Sequence, residues 1–356
     1  MCLNLMLSIL SSLTQAYFIY AVGLSALVYP FVVHWAWSDG FMSAFRSDER
    51  DELLFGCGAV DFAGSGVVHM TGGVAALIGV IFLGPRLGRF DEGSQFKLPD
   101  YAPIFQCLGT LILFLGWFGF NGVSTLMISG GRSAVAAKAI CTTVIAGSSA
   151  CVTSVMIGRF HLGYINFELA NNGLLAGLVA ITASCATVEM EGAFCIGIIA
   201  SLFFYNATLL LQKYKIDDVV NAFPVHGACG LWGVLAAGLF TTENNYRQAY
   251  ASHYSNGENR AQHCAGLFYG GSGSQLAANI VLALTILAWV GGISVILFGV
   301  ASKLGILRIK SEKENFGLDY AHHANREERM RIKSADPDFA SISPDFVSGR
   351  GGKDNL

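Results

Sequence analysis

The feature that most constrains this chain is a series of long apolar runs, eight of which reach the ~20 residues a helix needs to cross a bilayer. They fall at about 15 to 37, 61 to 84, 102 to 124, 134 to 158, 169 to 188, 192 to 212, 219 to 241 and 275 to 303. Backbone polar groups in hydrocarbon must be satisfied within the protein, so these runs predict an all-α polytopic membrane protein. The charge content agrees: 13% of the 356 residues are charged, about half the share of a soluble domain. The 42 glycines are spread through the apolar runs rather than gathered in linkers, as close helix packing in a bilayer requires.

Formal net charge is -3, and no basic stripe exists to neutralise phosphates, so nucleic acid is excluded as a partner. The nine cysteines include no C-x-x-C pair, and most, such as Cys107, Cys141, Cys195 and Cys229, lie inside apolar runs. Neither a disulfide framework nor a zinc site is expected. Only Cys57 and Cys264 fall in loops, where pairing stays open. No charged segment precedes the first apolar run, so a cleavable signal peptide is not expected. The chain divides into a short atypical N-terminus (1–13), a transmembrane domain (14–304) and a polar C-terminal tail (305–356). The tail is too polar to fold alone. Lys303, Arg308, Lys310 and Lys313 follow the last span, which places the C-terminus in the cytoplasm.

Two segments share a pattern. Asp61 is followed eight residues later by His69, and Asp218 eight residues later by His226; glycine stands four residues beyond each histidine, at Gly73 and Gly230. Four predicted helices separate the segments, so they start from opposite membrane faces, as in an inverted repeat. Eight residues of helix carry each histidine roughly 12 Å inward, close to the midplane. Ionisable groups at that depth face a bundle interior or a conduction path rather than lipid. The plain alternative is that each ring is a packing residue bonded to a carbonyl. Asp61 and Asp218 cap helix starts or contact a ligand; both roles stay open. Neutral imidazole has one donor and one acceptor nitrogen, so two facing rings can share a proton and offer a lone pair to an N–H donor. No carboxylate or thiolate accompanies either histidine at helical spacing, so no metal or other cofactor is expected. The line Gly116-Trp117-Phe118-Gly119-Phe120-Asn121 supplies rings that either narrow a pore or pack.

These residues resemble the ammonium transporter (Amt/Mep/Rh) family, its eukaryotic plant-like branch in particular. The resemblance rests on Asp61-Phe62-Ala63-Gly64-Ser65-Gly66-Val67-Val68-His69, Gly116 to Asn121, and Asn172-Gly173-Leu174-Leu175-Ala176-Gly177. Val225-His226-Gly227 with Cys229-Gly230, and Gly266-Leu267-Phe268-Tyr269-Gly270-Gly271, extend it, so that it runs from about Thr14 to Ile309. It implies an inverted-repeat bundle of eleven spans, of which this chain's eight match the last eight, assembled as a homotrimer or a mixed trimer with homologues. It also implies a non-enzymatic plasma-membrane transporter or channel for ammonium or ammonia, with methylammonium as analogue. By the same resemblance Trp37 and Ser124 form an outer ammonium site, Asp61 orders it, Phe120 is a gate ring, and His69 and His226 are the pore pair. A non-transporting sensor or regulatory subunit of full-length homologues is the alternative. The family's first three spans and a second gate phenylalanine have no counterpart, and the unusual opening Met1-Cys2-Leu3-Asn4 makes a start further upstream one expectation. Gly122-Val123-Ser124 stands where the plant branch has Pro-Gly-Ser. Ala321 and Ala324 depart from the family's tail, which leaves regulation through it open. His253, His263, His322 and His323 read as solvated residues, and the sequon Asn206-Ala207-Thr208 lies within a span.

Overall fold

The computed structural model describes residues 14–46, 53–91, 102–250, 257–309, 311 and 314. Seven helices in it are long and apolar enough to cross a membrane, and an eighth is shorter. Helix α1 joins Thr14–Gly23 to Tyr29–Trp37 through a π-helical turn at Leu24–Val28. There follow α2 (Ser65–Leu83), α3 (Ala102–Gly122), α4 (Arg132–Leu162), α5 (Phe167–Ile181), α6 (Met190–Lys213) and α7 (Phe223–Phe240). Two short helices, α8 (Glu243–Ala249) and α9 (Arg260–His263), precede α10 (Ser274–Lys303).

All eight predicted spans are helical, but four differ from the expected bounds by four residues or more, α4 among them, which runs on to Leu162 rather than 158. Helices α2 and α7 start at Ser65 and Phe223, not at Asp61 and 219. Each is preceded by non-helical backbone. Helix α5 stops at Ile181 rather than 188. For α2 and α5 the reason is mutual satisfaction of irregular backbone. The Phe62 and Ala63 amides donate to the Ala183 and Thr182 carbonyls at 2.8 and 3.0 Å. The Ser65 hydroxyl donates to the Val179 carbonyl (2.6 Å) and accepts from the Ala183 amide (2.6 Å). Non-helical chain at membrane depth is tolerated where protein groups pair it, and here two such segments pair each other.

Helix α10 fixes the same region from the other side. Asn279 accepts from the Val60 amide (2.9 Å) and donates to the Val60 and Val234 carbonyls (2.9 and 2.6 Å), while Gln275 donates to the Gly58 carbonyl (2.8 Å). Arg260, 1% exposed, donates to the Arg46, Ala44 and Cys57 carbonyls and lies over the Tyr246 ring. Cys57 and Cys264 form a disulfide across 207 residues of sequence. The pairing left open for Cys57 and Cys264 is thus made. Sequence showed the two cysteines in loops, whereas their pairing depends on α9 folding back over the approach to α2.

The opposite end of the bundle is held by ions. Arg86, just past α2, donates through Nε and Nη2 to Asp217 at 2.7 and 2.9 Å, and through its amide to the same carboxylate at 3.0 Å. Arg89 approaches it at 3.4 Å. Asp217 precedes α7, so α2 ends where α7 begins and the two run antiparallel. The start of the tail docks there too: Arg308 donates to the Leu83 and Pro85 carbonyls and pairs with Glu314. The predicted N-terminus (1–13), the tail beyond Glu314 and His253 lie outside the described residues. His263 closes α9, and Asn206 donates to the Leu202 carbonyl (2.8 Å) within α6.

Burial raises the Asp217 carboxyl, but the Arg86 hydrogen bonds and the Arg86 and Arg89 charges outweigh it and hold the group below its ordinary value. A depressed folded pKa means stability that is present above the ordinary aspartate range, about 3.9, and lost as pH falls through the folded value. Asp217→Asn should therefore lower stability in detergent at pH 7 by about 2 kcal/mol. Melting followed from pH 7 to 3 should show the gap to the parent protein closing below about pH 4.

Candidate functional site

The two arms of the repeat, α2 and α7, each open with a π-helical turn, Ser65–Met70 and Phe223–Ala228, and each turn carries its histidine. Such turns re-aim side chains and are frequent at functional sites. In both, the aspartate accepts from the first free amides. Asp61 Oδ2 takes the Gly66 and Val67 N–H groups at 3.0 and 2.8 Å; Asp218 takes those of Ala222 and Phe223 at 2.9 and 2.8 Å. Because the helices start later than expected, a helical rise from the aspartate does not set the depth of the histidines. The non-helical leads, of which 61–63 is buried, carry them inward instead.

The arms touch backbone to backbone. A Cβ placed on Gly73 would overlap the backbone of Gly227, and one on Gly230 would sit 2.6 Å from the Ser65 carbonyl. Only glycine at these positions lets the antiparallel helices close to this distance. The rings of His69 and His226 consequently meet, with centroids 5.3 Å apart and planes 21° from parallel. His69 is 7% exposed, and its Nε2 is buried without a hydrogen-bond partner among the described residues. Sequence reasoning placed the pair at one depth; the structure adds that they stack.

Helix α3 supplies the other side of the stack. Trp117 lies parallel to His69 with centroids 5.1 Å apart and planes at 18°, and its indole N–H donates to Thr182 Oγ1 at 3.1 Å. Phe120 is 5.6 Å from the His69 ring. It remains 40% exposed. Trp117 stood in the aromatic line read from the sequence, but nothing local marked it as the residue in ring contact with His69.

The remaining expected site residues are at the Asp61 end. The Trp37 indole donates to the Asp61 carbonyl at 2.6 Å, and its ring lies against Gly64, whose φ of +102° bends the chain into α2. Asp61 is fully buried and its Oδ1 has no hydrogen-bond partner among the described residues. Ser124 sits in a 3-10 turn after α3, its hydroxyl donating to the Phe120 carbonyl at 2.7 Å, which leaves the oxygen lone pairs able to accept. The structure thus joins His69, His226 and Phe120 in one cluster, joins Trp37 to Asp61, and links Ser124 to the cluster through Phe120.

A model of the Ammonium Transporter Family matches residues 11–328. The chain belongs to the ammonium transporter family. It is similar to ammonium transporter 1 member 1 of Arabidopsis thaliana, with 41% identity over 319 residues, covering 86% of this chain and 62% of that protein. Similarity to ammonium transporter 1 member 2 of Oryza sativa subsp. japonica is 42% over 320 residues, again 86% of this chain and 62% of the other. These plant relatives agree with the plant-like branch read from the motifs. The chain spans about three fifths of their length. Among solved structures it resembles the Sensor Amt Protein, with a TM-score of 0.73, 30% identity, and 88% and 71% of the two chains covered. Saccharomyces cerevisiae Mep2 shares the fold, with a TM-score of 0.71 at 23% identity over 85% and 63% of the chains. The ammonium transporter fold is therefore built here around the Gly73–Gly227 crossing.

Gly73→Ala should push the arms apart and cost about 1–3 kcal/mol of stability, as overpacking does. Thermal melting of the detergent-purified variant checks this, and an unchanged melting curve would show that the crossing has slack.

Proposed function

We propose that this chain binds ammonium at the Asp61 end of the bundle, deprotonates it, and conducts ammonia between α2, α3 and α7 past His69 and His226. The observation that carries this reading is the stacking of two imidazoles, 5.3 Å apart, from antiparallel arms. A bare ammonium ion among apolar side chains incurs a large desolvation penalty; ammonia does not. Loss of the proton to an imidazole therefore converts a forbidden crossing into an allowed one, and the second ring relays the proton. Potassium has no proton to lose and is rejected on that ground. In this reading Trp37 and Ser124 hold the incoming cation by its π face and hydroxyl oxygen. Asp61 orders the outer lead, and Phe120 gates the approach to His69.

The same reading sets topology. The Cys57–Cys264 disulfide lies at the Asp61 end, and disulfides persist in oxidising compartments. The Asp61 end then faces outward at the plasma membrane, and Lys303, Arg308 and the tail face the cytosol. Assembly as a homotrimer, or as a mixed trimer with homologues, belongs to the same proposal and follows the family resemblance.

Methylammonium uptake by a transporter-deficient host tests the function. The His69→Ala, His226→Ala double variant should reduce uptake by about a hundredfold or more, the usual scale for removing a positioned proton-transfer group. Uptake equal to that of the parent chain at matched membrane abundance would overturn the histidine assignment. The disulfide on which the topology rests is checked separately. Because both cysteines are buried, a thiol reagent applied to the denatured chain taken from cells should label Cys57 and Cys264 only after reduction; labelling without reduction contradicts the disulfide.

A further inference from the structure

We infer that Trp117 stabilises the protonated form of His69, making His69 the ring that takes the proton from ammonium, and that Thr182 holds the indole in place for this. The inference rests on the proton-relay reading above and assigns its first acceptor. His69 has two flat groups close to parallel with it, Trp117 at 5.1 Å and 18°, and His226 at 5.3 Å and 21°. An indole face within about 6 Å of a cation is the strongest aromatic partner available to it, and the effect grows when both are out of water. Here Trp117 and His69 are each 7% exposed. Phe120, at 5.6 Å and 37°, is the weaker second face.

The indole cannot swing away. Its N–H donates to Thr182 Oγ1 at 3.1 Å, and that hydroxyl, fully buried, donates onward to the Leu178 carbonyl at 2.6 Å. The chain of bonds runs from α3 through the residue capping α5, so the platform is anchored on a helix other than its own. Position and chemistry coincide at the acceptor atom: His69 Nε2 is buried and has no hydrogen-bond partner among the described residues. One N–H bond of ammonium breaks, a bond from that proton to Nε2 forms, and neutral ammonia leaves; no electrons are transferred. The imidazolium then has the indole ring at 5.1 Å and the His226 ring at 5.3 Å.

Few other charges compete. Asp61 heads the same arm, with its Oδ2 bonded to the α2 amides. Of the elements packed on this arm, α1 brings Tyr29 and His34, and the α7 arm brings Asp218 and Cys229 besides His226. Cys107 of α3, Glu168 of α5 and Lys303 of α10 lie towards the Asp218 end. Among all of these, His226 is the titratable group in ring contact with His69.

The test is 15N NMR of histidine-labelled full-length chain in lipid nanodiscs, with the His69 signal assigned by its loss in His69→Ala. At fixed pH the ratio of imidazolium to imidazole at His69 should fall about tenfold in Trp117→Leu, the scale of a desolvated cation–π contact. It should fall less in Trp117→Phe, which keeps a ring. Thr182→Val should lower the ratio as well, with folding kept. An unchanged ratio in these variants overturns the inference, and so does a rise, which a Trp117 that only excludes water would give. This readout needs no flux. If the histidine double variant transports normally, the relay reading fails by itself; if it does not transport but Trp117 leaves the ratio unmoved, only the present inference fails.

Discussion

The contact on which the rest of the structure depends is the backbone crossing of α2 and α7 at Gly73 and Gly227. Side chains of any size there would hold the arms a full van der Waals layer apart, and the imidazoles would no longer meet. Because the arms are antiparallel, each histidine comes from its own end of the bundle, and the crossing brings both rings to one place. The π-helical turns that begin the arms then aim the rings at each other rather than along the helix surface. Geometry that in a single helix would be a local irregularity becomes, when repeated on two opposed helices, a shared site.

Bringing helix starts deep into a membrane leaves polar backbone to satisfy, and the two ends of the bundle do so with different chemistry. At the Asp61 end the solution is a lattice of hydrogen bonds around one carboxylate. Residues 61–65 bond to 179–183, Asn279 takes both backbone groups of Val60, and Arg260 with the Cys57–Cys264 disulfide ties the outer loops. At the Asp218 end the solution is ionic, with Arg86 and Arg89 on Asp217 and Arg308 on Glu314. The ionic end weakens with acid.

Much of this was legible in the sequence because hydropathy and spacing are local signals. The eight spans, and the paired Asp–His–Gly pattern that announces the inverted repeat, could be read without any contact map. The residue roles of Trp37, Ser124 and Phe120 came from family resemblance, not from spacing. What could not be read depends on partners far along the chain. Helix α5 ends at Ile181 where residues 62 and 63, more than 100 residues away, pair the Ala183 and Thr182 carbonyls just past it. Cys57 and Cys264 are 207 residues apart, and their loops gave no sign of meeting. Trp117 looked like any aromatic in an apolar helix until the crossing put His69 beside it. The late starts of α2 and α7 escaped notice because a capping aspartate four or five residues ahead of a helix looks, in sequence, like the helix itself.

The most direct measurement of the central claim is an experimental structure of the full chain in a lipid nanodisc, resolved well enough to orient the imidazoles. The account predicts His69 and His226 stacked at about 5 Å between Trp117 and the Gly73–Gly227 crossing. Rings found on separate lipid-facing surfaces, or displaced from each other along the membrane normal by a helical turn or more, would contradict it.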